Sequence, residues 1–183
     1  MRWERLFADL EAEAAEIEAR DRDAEIAERT RAELASVRWL ERVRGTTGGT
    51  VSVQVSGGQR HDGRVGYVGP DWLLLHPAGA EDVLLPAGAV VGVEAAARQV
   101  ASGDERVPLT WPAAWRTLSR DRVVVRVTRT DGSVLRGTVG RVGADFAEVE
   151  REAQAHRPSG GPTGLVLVPY AAVRSVHVPR DPR

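Results

Sequence analysis

The chain has 183 residues, no cysteine and a formal net charge of −1 at pH 7. Without cysteine there is no disulfide, thiolate metal site or cysteine nucleophile, and this composition favours a reducing compartment, so we expect the protein in the cytoplasm. No segment approaches the roughly 18 consecutive apolar residues of a membrane-spanning helix, and the first residues lead into acidic side chains where a signal peptide is apolar, so neither feature is expected.

Charge is distributed unevenly along the chain. Residues 1–44 carry 9 Arg against 12 Asp and Glu, residues 45–107 carry 4 against 7, and residues 108–183 carry 12 against 7. The net charges of the three parts are therefore −3, −3 and +5. A basic C-terminal part is suited to a polyanion, but it is equally suited to the acidic N-terminal part of the same or another copy. The charges leave both partners open.

The N-terminal part predicts one long amphipathic helix over residues 1–44. Residues 2–44 contain no Pro or Gly, they are rich in good helix formers, and Gly45 follows as a stop signal. Apolar residues recur near heptad spacing on both sides of a charged segment at residues 20–23. The first part of this stripe is a candidate oligomer interface and contains Trp3, Leu6, Leu10 and Ile17. The helix either packs on its own chain or forms a coiled coil with another.

The rest of the chain contains an internal repeat. Residues 63–75 and 137–149 share 6 of 13 positions, and residues 83–93 and 166–176 share 6 of 11. Similarity at this density indicates two copies of one small fold. We place them at residues 45–97 and 122–178, with a connector at residues 98–121 and a short tail at residues 179–183.

Each copy predicts five short strands. The first strand alternates apolar and other residues, with Val51, Val53 and Val55 in one copy and Val123, Val125 and Val127 in the other. Tight turns follow at Gly57-Gly58 and at Asp131-Gly132. The third strands begin at Trp72 and Phe146, the fourth end at Pro86 and Pro169, and the fifth centre on Val91 and Arg174. Five twisted strands of this length bury little as a flat sheet, so we expect each copy to close into a small barrel.

The connector and one loop complete the chain. Thr110-Trp111-Pro112 is typical of a helix start, because Pro is favoured in the first turn. Trp111, Trp115 and Leu118 then share a face that we expect to cover the end of the second barrel. Residues 151–164 of the second copy predict a solvent-exposed hairpin loop, since they contain Pro and Gly in a cluster.

These motifs resemble the Sm/LSm family, which includes the bacterial Sm-like RNA chaperone. The resemblance lies in the alternating valines, the spaced glycines, the Asp of the turn and a final Ala-Val-x-x-Val, and it covers residues 50–93 and 122–178. It implies a mainly β fold of two tandem five-stranded Sm-like or SH3-like barrels behind a long N-terminal helix. Other SH3-like barrels and the PRC barrel share these patterns. The whole layout also resembles a protein type of GC-rich actinobacteria.

The positions with which Sm proteins bind RNA differ in this chain. The family keeps an aromatic or similar residue two positions after the Asp, an Asn four positions after it, and an Arg-Gly pair in its second motif. Here these positions hold Leu73 and Ala147, Leu75 and Val149, and Ala87-Gly88 and Tyr170-Ala171. Recognition of single strands needs stacking platforms and base-edge donors. The resemblance therefore implies the fold more than the uridine site.

The sequence contains no pattern typical of an active site or a metal centre. The four histidines, His61, His76, His156 and His177, are predicted to be exposed at loops and strand ends, without the spacing of metal ligands. Asp71 and Asp145 occupy the same turn of both copies, which favours a structural hydrogen bond to turn amides over catalysis. We therefore expect a non-enzymatic protein without a metal or cofactor.

Two functions remain open. The first is an adaptor or scaffold that binds protein partners, still unidentified, through the helix and the barrel edges. The alternative is an RNA-binding protein that uses the second barrel, where seven arginines gather. These candidate RNA-binding residues are Arg122, Arg126, Arg129, Arg136, Arg141, Arg151 and Arg157. Alternation places Arg122 and Arg126 on the solvent face of the first strand.

The protein is also expected to form a homo-oligomer, most simply a dimer. Barrels of the Sm family associate by pairing the fourth strand of one with the fifth strand of the next. A tandem chain satisfies one such pairing internally and leaves one free edge at each end. The apolar stripe of the N-terminal helix offers a second interface.

Overall fold

The structure is a computed structural model that describes Glu16, Arg20 and residues 22–95, 108–152 and 164–180. This part of the chain is mainly β. Its helices are α1 (residues 22–36), α2 (Trp39–Arg44) and α3 (Trp111–Arg120). Its strands are β1 (Thr50–Val55), β2 (Gln59–Val68), β3 (Trp72–His76), β4 (Glu81–Pro86), β5 (Val90–Ala95), β6 (Val124–Arg129), β7 (Val134–Val142), β8 (Phe146–Arg151), β9 (Leu165–Pro169) and β10 (Val173–Pro179).

The predicted N-terminal helix is interrupted. Val37 and Arg38 are not helical, and the chain divides into one unit of residues 1–38 and a second of residues 39–183. At the end of α1 the Val37 amide donates to the Leu34 carbonyl three residues back, at 3.2 Å, which tightens the last turn. The prediction of one unbroken helix is therefore wrong. The candidate interface residues Trp3, Leu6, Leu10 and Ile17 lie outside the described residues.

Helix α2 belongs to the second unit and not to a separate N-terminal element. Leu40 and Val43 are buried in the same apolar cluster as the strands β1 to β5. Burying side chains of this size stabilises the fold by roughly 1.5–3 kcal/mol each. The first repeat thus begins at Trp39, several residues before the predicted boundary at Gly45.

The ten strands form one antiparallel sheet in the order β5-β1-β2-β3-β4-β10-β6-β7-β8-β9. We call β1 to β5 repeat 1 and β6 to β10 repeat 2, because the same internal order occurs in each. The pairing of β4 with β10, which we call the junction, joins the two repeats. In the described part of the chain the sheet is not closed. The expectation of a mainly β fold is confirmed, and the closure of each repeat into a barrel stays a prediction.

Most strands and turns lie where the sequence predicts them. Gly57 and Gly58 have φ angles of +79° and Gly132 has +84°, so both hairpin turns use the left-handed conformation that glycine adopts without strain. Strand β6 begins one residue later than predicted, at Val124, and Arg122 lies in the turn before it with φ +51°. The fourth strands β4 and β9 end at their prolines, as predicted.

Each repeat has an apolar core. The core of repeat 1 contains Val51, Val53, Val55, Val65, Leu73, Leu75, Val83 and Leu85 together with the α2 side chains. The core of repeat 2 contains Val125, Val127, Leu135, Val139, Val149, Val168 and Val176, and it also takes in Trp72 and Leu84 from repeat 1. Because two side chains of one repeat complete the core of the other, the repeats share buried surface as well as hydrogen bonds.

Helix α3 lies between the repeats. Trp111, Trp115 and Leu118 are buried in the core of repeat 2, so the burial of this face against the second repeat is confirmed, whereas its position at the end of a barrel stays a prediction. The Trp111 ring centroid lies 5.9 Å from that of Trp72 in repeat 1 and 6.4 Å from that of Tyr170 in repeat 2. Aromatic pairs at these distances are favourable beyond their buried area. The helix therefore holds both repeats through one continuous group of rings.

The predicted structural role of the turn aspartate side chains is found for Asp71 alone among the described contacts, and by a different bond. The backbone carbonyls of Asp71 and Asp145 accept equivalent hydrogen bonds from Ala87 and Tyr170, each at 2.8 Å. The Asp71 carboxylate accepts a bond at 2.9 Å from the backbone amide of Trp111, the first residue of α3. It thus acts as a cap supplied from another element, and the predicted bond to amides of its own turn is wrong.

Replacing Asp71 by Ala removes this cap and leaves an amide at the start of α3 without its acceptor. We expect Asp71→Ala to lower the free energy of unfolding by about 1 kcal/mol, measured as a shift of the urea midpoint. Asp145→Ala is the matched control, because no side-chain hydrogen bond of Asp145 occurs in the described part of the chain. Equal losses in the two variants would contradict the capping role.

Candidate functional site at the repeat junction and the sheet edges

The junction is a short antiparallel pairing in the middle of the sheet. Its register pairs are Val176 with Leu84, His177 with Val83, Val178 with Asp82 and Pro179 with Glu81. The pairing joins the fourth strand of repeat 1 to the fifth strand of repeat 2. The prediction that the two repeats pair with each other through these strands is confirmed.

The outer strands β5 and β9 have one paired neighbour each among the described strands. The junction can be compared directly with the open edge, because Leu84 of β4 and Leu167 of β9 occupy equivalent positions in the two repeats. Leu84 is 6% exposed, whereas Leu167 is 59% exposed. Leu165 on β9 and Val91 on β5 are also exposed. Strand pairing at the junction thus covers a position that stays open at the edge.

A buried arginine crosses the junction. Arg174 of β10 is 6% exposed, and its Nη2 donates to the Thr130 carbonyl at 2.5 Å. Its guanidinium also lies against Gly57 of repeat 1, where a β-carbon would come within 2.5 Å of Arg174 Cζ. The equivalent position on β5 holds Val91. Arg174 can therefore occupy the space beside the hairpin turn of repeat 1 only because residue 57 has no side chain.

Two histidines meet beside the junction. The ring centroids of His61 on β2 and His177 on β10 lie 5.5 Å apart, and both rings are half-buried. Glu81 Oε2 lies 3.4 Å from His177 Nδ1 and also accepts a hydrogen bond from Arg126 of β6. The prediction of scattered, exposed histidines is wrong for this pair and for the half-buried His76, and His156 lies outside the described residues. Sequence reasoning missed the pair because its two residues come from different repeats.

The environment of these rings favours their neutral form. Burial, followed by the nearby positive charge of Arg126, lowers the pKa of His61. Burial also lowers the pKa of His177 to about 4, with Arg126 and His61 acting in the same direction and Glu81 only partly opposing them. Both shifts favour the uncharged imidazole at neutral pH.

A second cluster of charged side chains lies at the same junction. Asp82 of β4 accepts hydrogen bonds from Arg180 Nε at 2.7 Å and contacts His76 Nδ1 at 2.8 Å. Arg180 also donates to the Pro77 carbonyl at 3.3 Å. Since Arg180 follows β10 and Asp82 lies on β4, this pair strengthens the same junction. Its solvent exposure limits the contribution to about 0–1 kcal/mol.

An open cavity of about 310 Å³ lies over the histidine pair. Its charged and titratable lining residues are Arg60, His61, Asp62, Glu81, Arg126 and His177. The lining comes from both repeats and includes two arginines and two carboxylates, so its charges nearly cancel. In the described part of the chain no three histidine, aspartate or glutamate side chains are arranged to hold a metal ion.

The structure disperses the candidate RNA-binding arginines. Arg126 pairs with Glu81, and Arg136 Nε lies 2.7 Å from Glu152 Oε2. Arg129 and Arg151 are half-buried at strand ends, and Arg122 and Arg141 are exposed. Arg157 lies outside the described residues. Alternation correctly places Arg126 opposite Val125 and Val127, whereas Arg122 precedes the strand. The proposed use of these residues in RNA binding stays a prediction.

Substituting Gly57 tests the contact across the junction. Gly57→Ala introduces a methyl group against the Arg174 guanidinium, whereas Gly58→Ala, at the same φ, meets nothing within 4 Å. Both variants carry the backbone cost of a left-handed alanine, about 1–2 kcal/mol. We expect Gly57→Ala to be the less stable of the two by urea unfolding. Equal stability would mean that Arg174 moves away freely and does not support the junction.

Comparison with known proteins adds no family assignment. No protein-family model, curated protein or solved structure matches the chain. No helix among the described residues is long and apolar enough to cross a membrane.

Proposed function

We propose that this chain is a non-enzymatic, cytoplasmic adaptor or scaffold that binds protein partners through its sheet edges and N-terminal helix. The first of these partners is a second copy of the chain, and the simplest assembly is a dimer. The observation that carries the proposal is the difference between Leu84, which the junction buries, and its exposed equivalent Leu167. Strand pairing covers this kind of edge at the junction, so the equivalent open edge can pair with a strand of another chain.

The two outer edges are of complementary kinds. Strand β9 is the equivalent of β4, and β5 is the equivalent of β10, so each edge corresponds to one side of the junction. Transferring the junction register to the edges pairs Val93 with Leu167 and Glu94 with Val166 of another copy. Two copies related by a twofold axis form two such pairings, and no edge then stays open.

The proposal includes closure of each repeat into a Sm-like barrel. Register shifts occur in the pairings of β1 with β5 and of β2 with β3, and in the equivalent pairings of repeat 2, β6 with β10 and β7 with β8. Such bulges bend strands and increase their twist, which a small barrel requires. The separate core of each repeat also supports closure, since five short strands enclose an apolar centre only when they curve around it.

The N-terminal helix adds a partner surface of its own. Ile26 and Leu34 of α1 are among the exposed large apolar side chains. Apolar residues on a helix surface favour docking against another helix or a groove. Ion pairs between neighbouring turns, such as Arg29 with Glu25 at 3.0 Å, support the helix between these contacts. The helix is thus suited to a partner with an apolar groove.

The edge pairing is tested by the molecular mass of edge variants in solution. We expect the full chain to be a dimer by light scattering coupled to size exclusion at tens of micromolar. Leu167→Glu places a charge in the proposed pairing and should yield monomers. Val134→Glu is the matched control, because Val134 is 57% exposed but lies on the inner strand β7. It should remain dimeric.

Three outcomes would argue against edge pairing. A monomeric full-length chain would exclude a self-associating scaffold at these concentrations. An unchanged mass for Leu167→Glu would move the interface away from β9. Loss of the dimer on removal of residues 1–38, with Leu167→Glu unaffected, would assign the interface to the helix. The truncation ends at Arg38 because Leu40 and Val43 belong to the core of repeat 1.

RNA binding through repeat 2 remains the alternative, and exposed Arg141 is its best reporter. In the described part of the chain Arg141 has no ion pair, whereas reversing Arg126 would also disturb Glu81 at the junction. If RNA is bound, filter binding should weaken steeply with salt, and Arg141→Glu should reduce the salt slope by about 1. Arg64→Glu, an exposed arginine of repeat 1, is the control. RNA retention that does not change with salt, or no RNA retention at all, would exclude this function.

A further inference from the structure

In the described part of the chain, the carboxylates around the histidine pair are already paired with other groups, so none is left to neutralise an added proton. Glu81 is the nearest carboxylate to His177, but it already accepts a hydrogen bond from Arg126. On the β6 side, His177 lies directly opposite Arg126 in the sheet register. Like charges facing each other across two strands are destabilising. A proton on His177 thus adds repulsion that Glu81 only partly offsets.

The other charged groups around the pair are also engaged. On β2, Asp62 Oδ1 lies 3.1 Å from Arg60 Nε. On β4, Asp82 is held by Arg180 Nη2 at 2.6 Å and by His76 at 2.8 Å. The segment between β3 and β4 lines the cavity with Pro77, Gly79 and Ala80, which carry no charge. Among the described residues, no element around the histidines therefore supplies a free carboxylate.

Part of this repulsion acts across the junction, because the two rings belong to different repeats. His61 belongs to repeat 1, whereas His177 and Arg126 belong to repeat 2, so separating the repeats moves His61 away from both positive groups and hydrates both rings, while Arg126 stays opposite His177. The junction has four register pairs, compared with six between β1 and β2. The cavity over the pair gives protons a direct route from solvent.

We propose that the repeat junction is an acid-sensitive latch, in which protonation of His61 and His177 loosens the pairing of β4 with β10 while the strand pairs within repeat 1 stay formed. The latch is independent of the proposed assembly, because its residues lie at the internal junction and not at the outer edges. Its effect is to make the geometry of the two repeats depend on pH.

The sign and size follow from the pKa of His177. A histidine whose pKa is about 4 in the paired state and ordinary, near 6.5, in the opened state favours pairing fully above pH 6.5. That preference is lost as the pH falls from 6.5 towards 4. Between pH 7 and pH 5, His177 alone should raise the opening equilibrium by up to about 20-fold, because Arg126 stays beside it in the opened state. His61 acts in the same direction, since its pKa is also lowered.

Amide hydrogen exchange of the full chain at pH 7 and pH 5 tests the latch, with rates corrected for the intrinsic pH dependence of exchange. We expect protection in β4 and in the C-terminal half of β10 to fall about tenfold or more from the two histidines together. Protection in β1 and β2 should change less than twofold. The double variant His61→Gln and His177→Gln should lose this pH dependence, because neither amide titrates.

Two comparisons make the result decisive. His76→Gln is the matched control, since His76 contacts Asp82 of β4 but is not part of the histidine pair; it should keep the loss in β4 and β10. Protection of the double variant at pH 7 shows that it is folded. The latch is overturned if the double variant opens with acid as the unaltered chain does, or if protection falls equally across β1, β2, β4 and β10.

Discussion

The pairing of β4 with β10 is the contact on which the rest of the molecule depends. It turns two five-stranded repeats into one sheet, and it places Leu84 of repeat 1 in the core of repeat 2. Arg174 reaches the turn of the other repeat only because these strands are neighbours. Helix α3 secures the same arrangement from one side, with Trp111 between rings of both repeats. Backbone hydrogen bonds, apolar burial and ring packing thus converge on one short ladder.

The two repeats keep their apolar pattern and differ where they meet. Leu84 and Leu167 are the same residue in different surroundings, whereas the positions equivalent to Arg174 and His177 hold Val91 and Glu94 in repeat 1. The polar residues of the junction therefore belong to the internal pairing alone. An interface formed by the outer edges would use backbone pairing and apolar contact instead. The internal pairing therefore differs in its side-chain contacts from any pairing of the outer edges with another chain.

Local patterns were sufficient to predict most strands, because alternation, glycine turns and terminal prolines each act within a few residues. The same reasoning failed wherever distant segments decide the structure. The break at Val37 and Arg38 follows no Gly or Pro, and the meeting of His61 with His177 requires knowing that β4 and β10 pair. The cap that Asp71 gives to α3 is likewise a tertiary contact. Arginines counted together in sequence proved to be distributed over strands, turns and ion pairs.

The order of the strands also has a consequence for synthesis of the chain. The strand that covers β4 is made about ninety residues after it, since Leu84 pairs with Val176. At roughly 5–20 residues per second, repeat 1 leaves the ribosome with that edge open for about 5–20 s. During this interval the nascent chain presents an unpaired strand to any other copy translated nearby. Polysomes are therefore the place where an exchange of β10 between neighbouring chains competes with folding within one chain.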